Sequence, residues 1–339
     1  MITQLQIRKP DDMHVHLREG TMMREVLPYT GRVFGRALVM PNLTDPIVAG
    51  SSAARYRNNI LWECEALQLP FHPLMTIKLT ARTTADVVTR AHSYGVVAVK
   101  LYPEGVTTNS ADGVRDPDQI DPAVFRAMAH SGMVLCVHAE EPGLFSLDRE
   151  SGYLRHVEKI ATAHPDLRIV IEHITTHEGI EFVHRAGANV AATITVHHLL
   201  ITLDDVIGDK LNPHNFCKPI AKREGDRAAL VTAALSANPK FFLGTDSAPH
   251  AQGMKECSSG CAGCFTAPAA MGLLAELFEA HNMLPGLEGF TSIYGAQFYG
   301  LTPNTGTITL VRDLWEIPAM CGSVVPFMAG KKVNWRVAE

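Results

Sequence analysis

Short, continuously apolar runs rich in β-branched residues recur along the chain at 36–40, 71–77, 96–100, 133–138, 168–173, 190–195 and 241–246. They lack the alternation of a half-exposed strand and read as strands buried on both faces, as in parallel sheets. Between them, capping residues open stretches of helical pattern. Ser51 and Ser52 precede 53–68, Thr83 and Thr84 precede 85–93, Asp121 and Pro122 precede 123–130, and Asp226 precedes 227–236. With a further strand ending at His16, the chain carries eight strands with helical segments between them. Eight such units predict an α/β fold closed into a (β/α)8 TIM barrel, with any active site at the carboxyl ends of the strands.

Length fits this reading, since α/β barrels of 339 residues run as one domain around one large core, so 1–339 is expected to be a single domain. No linker, repeat or low-complexity tract divides it. The net charge of −5, with both signs mixed, offers no basic stripe for nucleic acid and no polybasic patch for a membrane. No apolar run approaches the roughly 18 residues of a membrane span, and residues 1–10 lack the apolar core of a signal peptide. A cytoplasmic protein is expected.

Chemistry enters with Asp11-Asp12-Met13-His14-Val15-His16-Leu17-Arg18. Residues i and i+2 of a strand share a face, so His14 and His16 can point together at one metal ion. Asn42 follows the second strand, Lys100 lies late in the fourth, and His138, His173 and Asp246 end the fifth, sixth and eighth. Each alone has a plain structural explanation, as a hydrogen-bonded strand-end histidine or a turn former. Four histidines, a carboxylate and a lysine converging on one barrel mouth are hard to explain as packing. In Val-Ala-Val-Lys100-Leu-Tyr the ammonium is buried among aliphatics beside histidines, which favours a neutral amine. Such an amine can condense with a carbonyl substrate or take up CO2 to become a carbamate able to bridge two cations. The histidines, a pair plus two singles, favour the second course and a binuclear site.

Cys257, Cys261 and Cys264 imitate a zinc knuckle, with His250 or Cys217 as the conceivable fourth ligand. Their spacing matches no finger or ribbon. The Gly-Cys-Ala262-Gly-Cys stretch reads better as a tight loop over the barrel mouth, where main-chain amides can approach a ligand.

Asp-Met-His14-Val-His16-Leu-Arg18, Val-Lys100-Leu-Tyr, Cys-Val-His138-Ala-Glu, Glu-His173-Ile-Thr-Thr and Thr-Asp246-Ser-Ala-Pro-His250 resemble the amidohydrolase superfamily. Arg18, Met40-Pro-Asn42, Thr107-Thr108-Asn-Ser, Asn212-Pro-His and Gly-Cys-Ala262-Gly-Cys are similar, more narrowly, to the compact dihydroorotase family of bacteria and yeast. The resemblance spans nearly the whole chain. It implies reversible cyclisation of N-carbamoyl-L-aspartate to (S)-dihydroorotate plus water, a step of de novo pyrimidine biosynthesis. It implies two Zn2+, one held by His14, His16, N6-carboxylated Lys100 and Asp246, the other by Lys100, His138 and His173, with a bridging hydroxide as nucleophile and Asp246 as general acid and base. Arg18, Asn42 and His250 would hold the second carboxylate of the substrate. His138, Lys218 and Ala262 would also contact substrate, and Thr107 and Thr108 would sit on a lid. Lys218 stands where relatives are expected to carry an apolar residue, so a contact there, like that of Ala262, would run through the main chain. A homodimer is the family expectation.

Three other readings compete. A hydantoinase- or allantoinase-like cyclic amidase would not be expected to carry Arg18, Asn42 and the two threonines together. A Schiff-base aldolase using Lys100 would ignore chelators. A catalytically silent dihydroorotase-like assembly partner would have no chemical use for Asp246.

Overall fold

The computed structural model describes residues 2–338. Eight parallel strands, β2 (Asp11–Val15), β3 (Arg36–Val39), β4 (His72–Leu79), β5 (Val96–Leu101), β6 (Val134–Val137), β7 (Ile169–Ile171), β8 (Val190–Ile194) and β9 (Phe241–Leu243), pair in sequence order. The ring closes at the seam between its first and last strands just above β9, where Asp246 N–H donates to the carbonyl of His14 (2.8 Å) and His16 N–H to that of Ser247 (3.1 Å). Asp12 reinforces the seam by accepting from Thr245 N–H (2.8 Å) and from the Thr245 hydroxyl (2.6 Å). Burial pushes the Asp12 carboxyl up to about 7 against these hydrogen bonds. The result is the (β/α)8 barrel that the apolar runs predict.

Continuously apolar strands are needed because both faces are covered. Outward positions such as Met75, Ile77, Val99, Leu135, Ile169 and Leu243 pack on the surrounding helices. Inward positions Met13, Leu38, Leu74, Ala98, Val134, Cys136, Val170, Ala191 and Phe242 fill the lower barrel. Tyr299, following the helix Tyr294–Phe298, closes this lower layer, its hydroxyl 3.1 Å from Cys136 Sγ. A second sheet flanks the barrel. In it β10 (Thr307–Glu316) pairs antiparallel with β1 (Gln4–Arg8) on one side and with β11 (Lys332–Val337) on the other. Leu310, Val333 and Trp335 join it to the outer core of the barrel.

That sheet is not foreseen from the apolar runs, because its strands are only partly covered and mix polar with apolar positions. Helix boundaries also shift. Thr84 and Asp121 cap Ala85–Ser93 and Pro122–His130 as expected, accepting from Val87 and Ala123 N–H. The second barrel helix instead runs Gly50–Ala66, which places Ser51 and Ser52 in its first turn, and the helix expected after Asp226 begins at Glu224. Asp226 there reaches back to Arg223 N–H (3.2 Å) and across to His177 N–H (3.0 Å). β4 continues to Leu79, beyond the expected 71–77, and so takes Lys78 into the barrel.

Candidate metal centre and substrate cleft

Above the apolar floor the same strands present polar side chains. A register shift in β2 between Asp12 and Val15 lets His14 turn toward the cleft, although Met13 faces the interior below. His173 and Asp246 lie past the ends of β7 and β9 with φ of +42° and +44°, an uncommon conformation for residues with a Cβ. Gly244 makes room for this turn. A Cβ there would lie 2.8 Å from Thr193 and 3.0 Å from His14.

His14 Nε2 and His16 Nε2 stand 3.4 and 3.0 Å from one carboxylate oxygen of Asp246. His138 Nδ1 faces His173 Nε2 at 3.2 Å. The His14 and His173 rings are 5.0 Å apart, joining the two pairs into one buried group. Lys100 lies at its base, fully buried, its Nζ without a hydrogen-bond partner. Burial lowers the Lys100 amine below the ordinary lysine value, with Glu172 the first of the charges opposing that fall. Burial also depresses His16, to about 4, and takes His173 well below the ordinary histidine value. Burial alone would raise Asp246, but its hydrogen bond with His16 and the charges of His14 and His16 carry it below the usual carboxylate range.

Two carboxylates behind the histidines complete the arrangement. Glu172 pairs with His14 Nδ1 (2.8 Å) and also accepts from the Thr193 hydroxyl (2.7 Å). Glu140 pairs with His138 Nε2 (2.7 Å). Each fixes one ring nitrogen as a donor and leaves the other, His14 Nε2 or His138 Nδ1, with a lone pair toward the cleft. Burial favours the neutral form of Glu172, yet His14 and Lys100 hold it below the ordinary value.

The opposite wall is cationic. Arg18, at φ +58°, donates through Nε to the carbonyl of Pro249 (3.0 Å) and sets a terminal nitrogen 3.1 Å from His250 Nε2. His250 also contacts the carbonyl of Ala262 (3.1 Å), and burial, then the Arg18 charge, depress it to about 3. The loop bearing Ala262 arches tightly over the mouth. Gly263 is required in it, since a Cβ would meet the carbonyl oxygen of Ala248 at 2.5 Å. Asn42 is buried and donates to the carbonyl of Thr108 (3.3 Å).

One cleft is lined by His14, His16, Arg18, Asn42, Thr107, Thr108, His138, His173, Lys218, Asp246 and Ala262. Lys100 lies beneath this lining and His250 behind Arg18. Among the described residues, Cys257, Cys261 and Cys264 do not come together as a metal-ligating group. Cys264 Sγ instead donates to the carbonyl of His214 (3.4 Å), and Cys217 donates to that of Pro219 (3.2 Å).

Residues 11–311 match the amidohydrolase family. The chain belongs to that family. Over 346 residues it is 47% identical to the dihydroorotase of Marinobacter nauticus, with 100% of both chains covered. The crystal structure of dihydroorotase from Campylobacter jejuni superposes with a TM-score of 0.92 at 37% identity, covering 100% of this chain and 99% of that one. The dihydroorotase of Saccharomyces cerevisiae, solved in complex with 5-fluoroorotic acid, gives a TM-score of 0.92 at 34% identity, covering 99% of each chain.

An amidohydrolase of this kind works with bound metal, and the donors here suit one. Imidazole nitrogens gathered 3.2 Å apart with the buried His173 Nδ1 unpartnered, an orphaned buried amine and a carboxylate shared by two imidazoles form a donor set that a cation would complete. Glu140 and Glu172, which orient His138 and His14, and Asp12, which pins the seam beside His14, are not singled out by spacing alone. A signal existed for each, since all three are acidic residues one or two positions from a candidate histidine.

Proposed function

We propose that the chain is a dihydroorotase that interconverts N-carbamoyl-L-aspartate and (S)-dihydroorotate plus water in de novo pyrimidine biosynthesis, and that 1–339 acts as one domain. The observation that carries this reading is a single cleft with two chemically different walls. A metal-ligand cluster stands on one side and a guanidinium backed by a neutral imidazole on the other. A cyclic amide bearing a carboxylate needs both. The yeast relative's ligand, 5-fluoroorotic acid, is a ring of this type.

His14, His16, Asp246 and Lys100 would hold one Zn2+, and His138, His173 and Lys100 the other, with Lys100 carboxylated to serve both. Bound there, the ions supply Lewis acidity toward the ring carbonyl and acidify the attacking water. Lys100 suits carboxylation because its amine is kept partner-free and is lowered by burial. Asp246 accepts the proton of the attacking water and returns it to the ring nitrogen as the amide bond breaks. In the synthetic direction it takes the proton from the carbamoyl nitrogen instead. Its carboxylate is ionised at neutral pH, the form that the first transfer requires. Glu172 and Glu140 hold the His14 and His138 rings against rotation.

Arg18 offers its guanidinium to the free carboxylate of the substrate, steadied by Asn42 and His250, which fixes the ring carbonyl toward the metal side. Thr107 and Thr108 close over the ring and exclude bulk water. Lys218 and Ala262 lie at its edge and contact it through the main chain. The working molecule is a cytoplasmic homodimer. No helix among the described residues is long and apolar enough to cross a membrane.

Asp246→Ala tests the proton transfer. Turnover of dihydroorotate should fall by about 10²–10⁴-fold while the protein still binds metal. Full activity in that variant would refute the assignment.

A further inference from the structure

The segment that carries Thr107 and Thr108 is held from beneath by a side chain with no part in the metal cluster or the cationic wall. Lys78 lies near the end of β4, on the inward face it shares with Leu74, and pairs in register with Lys100 on β5. It is fully buried. Its ammonium donates to the main-chain carbonyl of Asn109 (2.7 Å) and to the carboxylate of Asp112. Both partners belong to the cleft-covering segment. Asp112 is itself about half exposed (47%), so the pair joins the barrel interior to a surface loop.

The same segment has a second tie. Asn109 Nδ2 donates to the carbonyl of Asn42 (3.0 Å), and Asn42 Nδ2 donates to the carbonyl of Thr108 (3.3 Å). Asn109 stands at φ +54°, and Ser110 bonds twice to the main chain of Thr107, so 107–110 is one tight turn. A pull on Asn109 and Asp112 therefore moves Thr107 and Thr108 with it. Two inward lysines meet in register here with opposite surroundings. Lys100 has no partner, whereas Lys78 is tied to the loop by an ion pair and a carbonyl.

We propose that Lys78 is a positioning residue, a latch whose buried ammonium holds 107–112 down over the cleft and so sets Thr107 and Thr108 against the substrate. Burying an ammonium is unfavourable unless it is paired, and here the pairing exists only while the loop is down. Opening strips the ammonium of both partners, so the latch biases the loop toward the closed state before substrate arrives. The proposal rests on the reading of this cleft as the cyclic-amide site. Its physical half can be measured without turnover.

The test compares wild type with Lys78→Met and with Asp112→Asn, a surface change that leaves the barrel interior intact if the buried variant fails to fold. Hydrogen exchange of amides in 104–113, measured on the holoenzyme without substrate, should quicken about tenfold in Asp112→Asn and more in Lys78→Met, with barrel-strand amides unchanged. The KM for dihydroorotate should rise by about tenfold, with kcat within about twofold of wild type. In the double variant Asp112→Asn should add little to Lys78→Met, because both remove one interaction. Unchanged exchange in both single variants overturns the latch. Faster exchange with an unaltered KM overturns its role in presenting the threonines. If wild type fails to turn over dihydroorotate, the functional assignment falls, and the exchange result still decides the latch.

Discussion

The lower and upper halves of the barrel interior are built from the same strands on the same face, and they differ in nearly every chemical respect. Ala98 gives way to Lys100 two residues on, Cys136 to His138, Val170 to Glu172 and Ala191 to Thr193. Below, Tyr299 and the inward apolar side chains exclude water and fix the strand spacing. Above, four imidazoles and three carboxylates occupy equally buried positions and are held by one another. One period of the pleat thus separates packing from chemistry. The lower layer can be rigid because it is apolar. The upper layer can hold unmade bonds toward a metal because the floor keeps it in place.

Substitutions at the two heights should part company. Arg18→Met removes the guanidinium from the upper cleft and should lower kcat/KM for dihydroorotate by about 10²–10³-fold, mostly through KM, with metal content unchanged. Steady-state kinetics beside metal analysis would show it, and loss of metal in this variant would break the division between the two walls. Glu172→Gln leaves the shape of the upper layer and replaces the charged acceptor that orients His14 with a neutral amide. Metal affinity should weaken by about 10- to 100-fold, read from a chelator competition. Leu74→Ala acts in the floor. It should cost about 2–5 kcal/mol of stability in denaturant while changing kcat/KM by less than about twofold, and a large kinetic effect would mean that floor and mouth are coupled more tightly than the comparison allows.

The barrel was legible in the sequence because doubly covered parallel strands must be apolar throughout, and that signal survives without any structure. His14, His16, Lys100, His138, His173 and Asp246 were legible as polar interruptions at the ends of such runs, and the structure gathers them at one mouth. The flanking sheet was not, since β1, β10 and β11 are only partly covered and mix polar with apolar positions instead of forming a continuously apolar run. Glu172 and Glu140 escaped for another reason. An acidic residue beside a histidine in sequence becomes its partner only when the fold turns the two side chains appropriately, and Glu172 serves His14 from 158 positions away. Lys78 is not legible as a barrel residue because the apolar run ends at Ile77, one residue short of it, whereas the strand continues to Leu79.

Catalysis in this cleft requires metal and dihydroorotate to meet there. The most direct measurement is dihydroorotate hydrolysis by purified protein as isolated, after chelation, and during titration with Zn2+ in the presence of bicarbonate. Activity should vanish on chelation and return in proportion to metal, saturating at about two ions per chain. Undiminished hydrolysis after complete metal removal, or none from a folded protein carrying both ions, would contradict it.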